Sequence, residues 1–340
     1  MIYGHGDDGY RYNIPFKANF SSNIWYEGTS KKILSYLGQQ LPLIANYPTP
    51  NADVLTQKVA EFHELDAFQV LITNGATEAF YNITSVFWGK KAAIGIPTFS
   101  EYEDACKKSA LKIRYYDRSE VTNISFNEDL VFLCNPNNPN GFSNSVLEIE
   151  KMVKNFPNTM FIVDEAYIDF TFKTESCVLL LEKYNNLIIV KSLTKLFSIP
   201  GLRLGYILCS KQTGEKLQQS KMPWSVNTMA IEAGKFIFEN YKDLQPNMAI
   251  LLDYCKKLQQ QVNTIKGLTV IPSETNYFLV QLEKPNASSL KNYLAHTHHL
   301  LIRDASNFRG LDEHYIRIAS QDPKKNELLV NALQQWSILQ

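Results

Sequence analysis

A lysine within an apolar stretch gives the first indication of chemistry. Lys195 lies in residues 191–203, Lys-Ser-Leu-Thr-Lys-Leu-Phe-Ser-Ile-Pro-Gly-Leu-Arg, and follows the hydroxyl side chains of Ser192 and Thr194. A lysine removed from water has a lowered pKa and becomes the nucleophile that Schiff-base chemistry with a carbonyl group requires. Alone, Lys195 could also be an ordinary surface lysine, so its role depends on the segments that accompany it.

A carboxylate at the end of an apolar strand gives the second indication. Residues 161–167, Phe-Ile-Val-Asp-Glu-Ala-Tyr, put Asp164 where the predicted strand ends and Tyr167 three residues later. Burying a carboxylate there is costly unless a cation lies against it. A protonated pyridine nitrogen is one cation that would serve.

Two polar segments follow other predicted strands. Residues 74–78, Asn-Gly-Ala-Thr-Glu, open a predicted helix, and backbone N–H groups at a helix N-terminus bind anions. Residues 135–141, Asn-Pro-Asn-Asn-Pro-Asn-Gly, stand at a strand end, where ligands of α/β sheets bind. Taken singly, the first pattern also fits a capped helix and the second a tight turn.

The elements that must position these residues alternate between short apolar strands and helices, which predicts a mostly parallel α/β sheet. The predicted strands are 69–72, 91–96, 112–116, 130–134, 160–164, 187–191 and 205–208. The predicted helices between them include 76–87, 100–109 and 146–155.

The character of the chain changes after about residue 227 and predicts a smaller α+β domain. The expected elements are a long helical pattern over 228–265, strands at 268–271, 276–281, 300–303 and 315–319, and an amphipathic helix over 324–336. The first forty or so residues are predicted to be irregular. We therefore expect an N-terminal arm with part of the small domain at 1–45, a large domain at 46–235 and a C-terminal small domain at 236–340.

Composition excludes several classes of function. The 340 residues carry a formal net charge of zero with scattered basic residues, so nucleic acid is not an expected partner. The apolar runs are too short to span a bilayer, and the first residues do not form a signal segment. Five cysteines lie far apart with no CxxC pair, which predicts reduced thiols, no metal site and a cytoplasmic location.

The four chemical segments, in this order along the chain, resemble the fold type I enzymes that use pyridoxal 5′-phosphate (PLP), the aminotransferase class I and II family. This resemblance implies a PLP-dependent transferase fold: an α/β architecture with a mostly parallel seven-stranded sheet between helices and a smaller α+β domain. It also implies PLP as the cofactor and a small amino compound as the substrate.

The resemblance assigns roles around the cofactor. Lys195 would carry PLP as a Schiff base and later act as general acid–base, and Asp164 would pair with the pyridine nitrogen. Asn138 and Tyr167 would hydrogen-bond the phenolic oxygen, and Phe99 would stack on the ring. The residues expected to hold the cofactor phosphate are Gly75, Ala76, Thr77, Ser192, Thr194 and Arg203.

The same resemblance assigns the substrate side. Arg317 would bind the substrate carboxylate through a bidentate pair, and Arg303 would meet a substrate phosphate. Asn23 and His5 lie in segments that match the substrate entrance. Tyr47 would reach the cofactor phosphate of a neighbouring subunit, which implies a homodimer with shared active sites.

Two branches of the family resemble nearly the whole chain, and both act on phosphate-bearing amino compounds. Residues 192–206, 222–227 and 301–311 are more similar to decarboxylases of threonine O-phosphate in cobalamin synthesis, which is our leading hypothesis. The alternative is an aminotransferase that uses histidinol phosphate and 2-oxoglutarate. A regulator without catalysis is disfavoured because Lys195 is present and no helix-turn-helix segment precedes the fold.

Departures from the decarboxylase pattern concern the substrate entrance. Asp7 and Asp8 stand where that branch carries Gly and Asn, and carboxylates are poor neighbours for a phosphate. Residues 23–26 lack the proline that both branches carry nearby. Asn140 replaces a threonine of the pattern, and we expect it to shape the turn without loss of cofactor binding.

Overall fold

A computed structural model describes residues 6–284 and 286–339. Within them the strands are, in chain order, β1 (Ala18–Asn19), β2 (Val70–Thr73), β3 (Lys91–Ile96), β4 (Lys112–Asp117), β5 (Leu130–Cys134), β6 (Met160–Asp164), β7 (Leu187–Ser192), β8 (Gly205–Cys209), β9 (Leu268–Ile271), β10 (Tyr277–Leu282), β11 (Leu300–Leu301), β12 (Arg303–Asp304) and β13 (Tyr315–Ala319). The helices are α1 (Lys31–Gln40), α2 (Asp53–His63), α3 (Gly75–Val86), α4 (Glu101–Lys108), α5 (Val146–Asn155), α6 (Leu193–Leu196), α7 (Lys211–Ser220), α8 (Thr228–Glu239), α9 (Tyr241–Leu244), α10 (Met248–Asn263), α11 (Ala287–Tyr293) and α12 (Pro323–Ile338).

The large sheet confirms the predicted mostly parallel arrangement of seven strands. Its order is β2-β8-β7-β6-β5-β3-β4, and only β8 runs antiparallel to its neighbours β2 and β7. Buried apolar side chains cover both faces of the sheet and form two clusters. Burial on both faces explains why the inner strands β5, β6 and β7 are nearly continuous apolar runs.

The central strands end together and carry the candidate residues to one edge. Parallel pairing sets Cys134 opposite Asp164, and Asp164 opposite Val190. The segments that follow β5, β6 and β7 therefore emerge side by side. Asn138, Tyr167 and Lys195 lie on those three segments.

The smaller domain contains a second core. An antiparallel sheet of order β12-β13-β10-β9 is accompanied by the parallel pair β1-β11, and α10 and α12 pack beside them. Within α10, Met248 and Leu251 belong to the core of the large sheet, whereas Cys255, Leu258 and Val262 belong to the small-domain core. The change of core thus falls within α10, later in the chain than the predicted boundary after residue 235.

The structure corrects three sequence predictions about elements. The segment predicted to be irregular contains α1, whose first turn is capped by the Ser30 hydroxyl accepting from the Lys32 N–H. The pattern over 228–265 is three helices. The first ends where the Asn240 backbone leaves the helical conformation, and the second ends at Gln245, which is extended because the next residue is Pro246. The strand predicted at 300–303 is divided between β11 and β12, which join different sheets.

No helix in residues 6–284 and 286–339 combines the length and apolar character needed to cross a membrane.

Candidate active site

A cavity of about 880 Å³ lies between the edge of the large sheet and the small domain. The side of the cavity formed by the large domain is called the large-domain wall. It includes Thr77, Phe99, Asn138, Tyr167, Lys195 and Arg203. Its small-domain wall, built together with the N-terminal segment, includes Ser21, Asn23, Arg303, Asn307 and Arg317. Residues predicted for the cofactor and for the substrate thus face each other across one space.

Lys195 stands in α6 on the large-domain wall, partly exposed to the cavity. Burial, together with the positive charges of Arg203 and Arg317, lowers its pKa to about 8. The amine is therefore far easier to deprotonate near neutral pH than a surface lysine. The hydroxyls of Ser192 and Thr194, which precede it, are buried and lie 2.8 Å apart.

Asp164 ends β6 and is almost fully buried, at 4% exposure. One carboxylate oxygen accepts a hydrogen bond from the Ala166 N–H at 3.0 Å, and the other accepts one from the Tyr102 hydroxyl at 2.5 Å. Burial raises the pKa of Asp164 to about 6, and the Tyr102 hydrogen bond opposes that rise. A cation placed against this carboxylate would offset the cost of its burial.

The start of α3 and Arg203 form a cradle suited to an anion. Gly75 has a φ of +73°, and a Cβ atom there would lie 2.6 Å from Nη2 of Arg203. Glycine is therefore required for the guanidinium to lie against the first turn of the helix. Ala76 and Thr77 continue that turn, and Thr77 lines the cavity.

Asn138, Tyr167 and Phe99 complete the large-domain wall. Asn138 Oδ1 accepts a hydrogen bond from Arg317 at 2.5 Å, which joins the two walls. Burial raises the pKa of Tyr167, so its hydroxyl stays protonated. Asn140 accepts from Asn137 Nδ2 and from a backbone N–H in the same loop, which fits its expected role in the turn.

Arg317 on β13 and Asn23 lie deep on the small-domain wall. The guanidinium of Arg317 is buried, and besides Asn138 it donates to the Ser21 carbonyl oxygen at 2.6 Å. Within the described residues, its Nε and both polar atoms of the Asn23 side chain meet no hydrogen-bond partner. Buried polar groups that lack a hydrogen-bond partner favour the binding of a polar ligand.

Arg303 on β12 is the second buried arginine of this wall. It donates to the Asp304 carbonyl oxygen at 2.5 Å and to Asn307 Oδ1 at 2.6 Å. Burial and the charge of Arg317 lower its pKa to about 10. Two guanidinium groups held close to each other make this wall attractive to an anionic substrate.

The N-terminal segment borders the same wall. Asp8 forms a buried ion pair with Lys291 at 2.6 Å, so its carboxylate is already compensated. Asp7 lines the cavity and accepts a hydrogen bond from Asn19. The predicted substrate residue His5 lies outside the described residues.

Tyr47 is not brought to the cavity of its own chain. Its side chain is 89% exposed, and its ring centroid lies 5.9 Å from that of Trp224. Trp224 donates to the Pro48 carbonyl oxygen. Both rings therefore form an exposed aromatic surface on the large domain.

Two residues at the site were not predicted. Tyr102 bonds Asp164 but resembles any aromatic core residue in sequence. Asn307 accepts a hydrogen bond from Arg303 and stands four residues after it. It lies within residues 301–311, which resemble the decarboxylase branch of the family. That proximity was an available signal for Asn307, and no comparable signal pointed to Tyr102.

The large-domain wall fits PLP. Lys195 offers an amine of lowered pKa for the aldehyde, Asp164 offers a buried carboxylate for the pyridine nitrogen, and the Gly75–Arg203 cradle offers donors to a phosphate. A Cβ atom at Gly75 would close that cradle. Fold and site together define the class of a PLP-dependent enzyme.

Comparison with known proteins gives the family. The model of aminotransferase class I and II matches residues 17–333, and the chain belongs to this family, whose members use PLP as cofactor. The seven-stranded sheet described above is the fold of that family.

Individual relatives fall into the two branches expected from the sequence. Threonine-phosphate decarboxylase of Salmonella typhimurium is 31% identical over 329 residues, 93% of this chain and 90% of the relative. The crystal structure of L-threonine-O-3-phosphate decarboxylase from Porphyromonas gingivalis matches with a TM-score of 0.92 at 36% identity, over 94% of this chain and 99% of that one. Histidinol-phosphate aminotransferase from Clostridium acetobutylicum matches with a TM-score of 0.85 at 27% identity, over 94% and 99%.

Proposed function

We propose that this enzyme decarboxylates an amino acid that carries a phosphate, of the threonine O-phosphate type, to an aminoalkyl phosphate. The observation that carries the proposal is the pair of buried guanidinium groups, Arg303 and Arg317, facing Lys195 across one cavity. A substrate with both a carboxylate and a phosphate engages both arginines at once. Similarity over most of the chain to decarboxylases of threonine phosphate supports the same reaction.

On the large-domain wall, we assign the cofactor to the residues predicted for it. Lys195 attaches it, Asp164 pairs with its ring nitrogen, and Asn138 and Tyr167 bond its phenolic oxygen. Phe99 lies against its ring. The phosphate is assigned to Gly75, Ala76, Thr77, Ser192, Thr194 and Arg203.

On the small-domain wall, we assign Arg317 to the substrate carboxylate and Arg303 to the substrate phosphate. Asn23, whose amide is buried at the cavity, offers a donor and an acceptor to the substrate. When bound, PLP would supply an electron sink for the bond that breaks at the substrate α-carbon. The spacing of the two arginines therefore decides which bond breaks.

We assign the proton transfer at the substrate α-carbon to the Lys195 amine, which would be free once the substrate amine has taken its place on the cofactor. If the two arginines orient the substrate so that the bond to its carboxylate breaks, CO₂ would leave and Lys195 would deliver a proton to the α-carbon. A pKa near 8 suits an amine that must both hold and release a proton near neutral pH. If they orient it so that the bond to the α-hydrogen breaks instead, Lys195 would remove that hydrogen as a proton and the reaction would be a transamination.

The alternative function is an aminotransferase of the histidinol-phosphate type, which the similarity to the Clostridium acetobutylicum enzyme supports. Histidinol phosphate has no carboxylate, so Arg317 would serve only in the half-reaction with glutamate and 2-oxoglutarate. The decarboxylase needs no second substrate, which separates the two functions experimentally.

We also propose a homodimer in which Tyr47 reaches the partner's cofactor phosphate. Tyr47 is exposed beside Trp224, and the apolar side chain of Ile44 nearby in sequence is 67% exposed. Exposed apolar residues grouped in this way favour an interface. Light scattering of the purified protein, with Tyr47→Phe tested for weaker PLP binding, checks this assignment.

A cytosolic location is likewise our proposal. All five cysteines are free and buried, which is expected of a protein that folds in a reducing compartment.

The test of the proposed function is product analysis by mass spectrometry. PLP-loaded protein is incubated with threonine O-phosphate alone, and in parallel with histidinol phosphate plus 2-oxoglutarate. Aminopropanol phosphate formed in the first tube without a keto acid is the expected result. Glutamate appearing only in the second tube would replace the decarboxylase with the aminotransferase.

A further inference from the structure

Tyr102 contacts the carboxylate that faces the cofactor ring, yet no cofactor or substrate role has been assigned to it. It stands in the first turn of α4, and its hydroxyl donates to Asp164 Oδ2 at 2.5 Å. Its side chain is fully buried. The bond joins α4 to the end of β6, 62 residues apart in sequence.

Aromatic neighbours fix the direction of this phenol. The Tyr102 ring stacks on Phe132 with centroids 5.2 Å apart, and Phe80 meets it edge-on at 4.8 Å. Phe99, assigned to the cofactor ring, meets it edge-on at 5.7 Å. The hydroxyl therefore cannot turn away from Asp164 without disturbing a packed aromatic cluster.

The surroundings of Asp164 make this donor important. The titratable groups that face or influence it are Tyr102, Cys134, Glu165, Tyr167, Lys195 and Tyr277. Burial favours the neutral acid, whereas Tyr102, the Ala166 N–H and Lys195 favour the carboxylate. Burial also raises the pKa of Tyr102, so the phenol remains a donor.

We propose that Tyr102 is a positioning residue that keeps Asp164 ionised and aimed at the cofactor's ring nitrogen. This inference rests on the proposed role of Asp164. Without the phenol, Asp164 protonates at higher pH, and a neutral acid no longer pairs with the pyridinium. Loss of the phenol should therefore raise the PLP dissociation constant more at acidic pH than at alkaline pH.

The experiment measures PLP dissociation constants of cofactor-free protein between pH 5 and pH 8.5 for wild type and Tyr102→Phe. PLP has titrations of its own, but they are the same for both proteins and cancel in the ratio of the constants. A hydrogen bond to a charged group corresponds to about a tenfold to hundredfold effect. We expect a ratio of about one to three at pH 8.5 that rises to about ten or more at pH 5.5.

Tyr116→Phe is the matched control. Tyr116 is also buried, but its hydroxyl has no hydrogen-bond partner among the described residues. We expect its ratio to wild type to stay near one at every pH. Thermal denaturation of each variant at pH 8 reports whether it is folded before the titration.

The outcomes separate this inference from the proposed function. A wild type that does not bind PLP contradicts the proposed function itself. A wild type that binds PLP, with a Tyr102→Phe ratio that does not change with pH, overturns the role of Tyr102. An equal pH-dependent change in Tyr116→Phe also overturns it, because loss of any buried phenol would then suffice.

Discussion

The two walls of the cavity are built in different ways. The large-domain wall takes Asn138, Asp164 and Lys195 from the ends of adjacent strands in one sheet. The small-domain wall joins Arg317 of β13 to the Ser21 carbonyl, 296 residues away in sequence. The first wall is therefore specified by short local segments, whereas the second depends on how distant parts of the chain pack.

The walls also differ in charge. Lys195 on the large-domain wall has a buried carboxylate, Asp164, near enough that the two influence each other's pKa. On the small-domain wall Arg303 and Arg317 lie close enough that the charge of Arg317 lowers the pKa of Arg303. This contrast agrees with our proposal that the first wall binds PLP, which carries both a pyridinium cation and a phosphate anion, and that the second binds an anionic substrate.

Replacement of Lys195 should have the largest effect on the large-domain wall. We expect Lys195→Ala to lower turnover by about 10³-fold or more, because both the attachment and the proton transfer are lost. Absorbance of the bound cofactor and steady-state kinetics measure the change. Lys216→Ala, at an exposed lysine, should leave both unchanged, and equal losses in the two variants would contradict the assignment.

Replacement of Arg317 should weaken the substrate side most, with a smaller effect on the cofactor side through Asn138 and Lys195. Arg317→Gln is expected to lower kcat/KM by about 10²- to 10³-fold, since a buried charge partner of the carboxylate is lost. Arg317→Lys should recover little of the loss because an ammonium cannot form the bidentate pair. A PLP dissociation constant that rises by as large a factor as kcat/KM falls would contradict the assignment of Arg317 to the substrate.

Replacement of Arg303 should change the choice of substrate. We expect Arg303→Gln to lower kcat/KM for threonine O-phosphate by about 10²-fold and to leave the slow reaction of unphosphorylated threonine nearly unaffected. The ratio of the two rates is the measurement. If both substrates lose rate equally, Arg303 does not recognise the phosphate.

The smallest effect concerns the cradle on the large-domain wall. Gly75→Ala puts a Cβ atom 2.6 Å from Arg203 at a φ of +73°, so we expect about tenfold weaker PLP binding and roughly 1–3 kcal/mol lower stability. Gly38→Ala is the control, since a Cβ there meets nothing within 4 Å and alanine favours a helix. Unchanged PLP binding in Gly75→Ala would contradict the cradle.

Sequence reasoning succeeded where the signal was local. The strand at 130–134 and that at 160–164 were predicted with the bounds observed for β5 and β6, because buried parallel strands are short apolar runs between polar segments. It was less accurate for helices that follow each other closely. The break between α9 and α10 falls at Pro246, a residue within the predicted 228–265 helix, whereas the break at Asn240 has no such proline.

Contacts between distant segments were beyond local reasoning. The bond from Tyr102 to Asp164 and the ion pair of Asp8 with Lys291 each join elements far apart in the chain. Nothing in the residue types near Asp8 indicates a buried lysine 283 residues later. Such contacts follow from the packing of whole elements, so they became visible only in the folded chain.

The most direct test of the account is to locate the cofactor's attachment. PLP-loaded protein is reduced with borohydride and digested, and the peptide that carries the added phosphopyridoxyl mass is identified by mass spectrometry. The account predicts a single modified residue, Lys195. Modification of another lysine, such as Lys108, which lines the same cavity, would contradict the assignment of the large-domain wall.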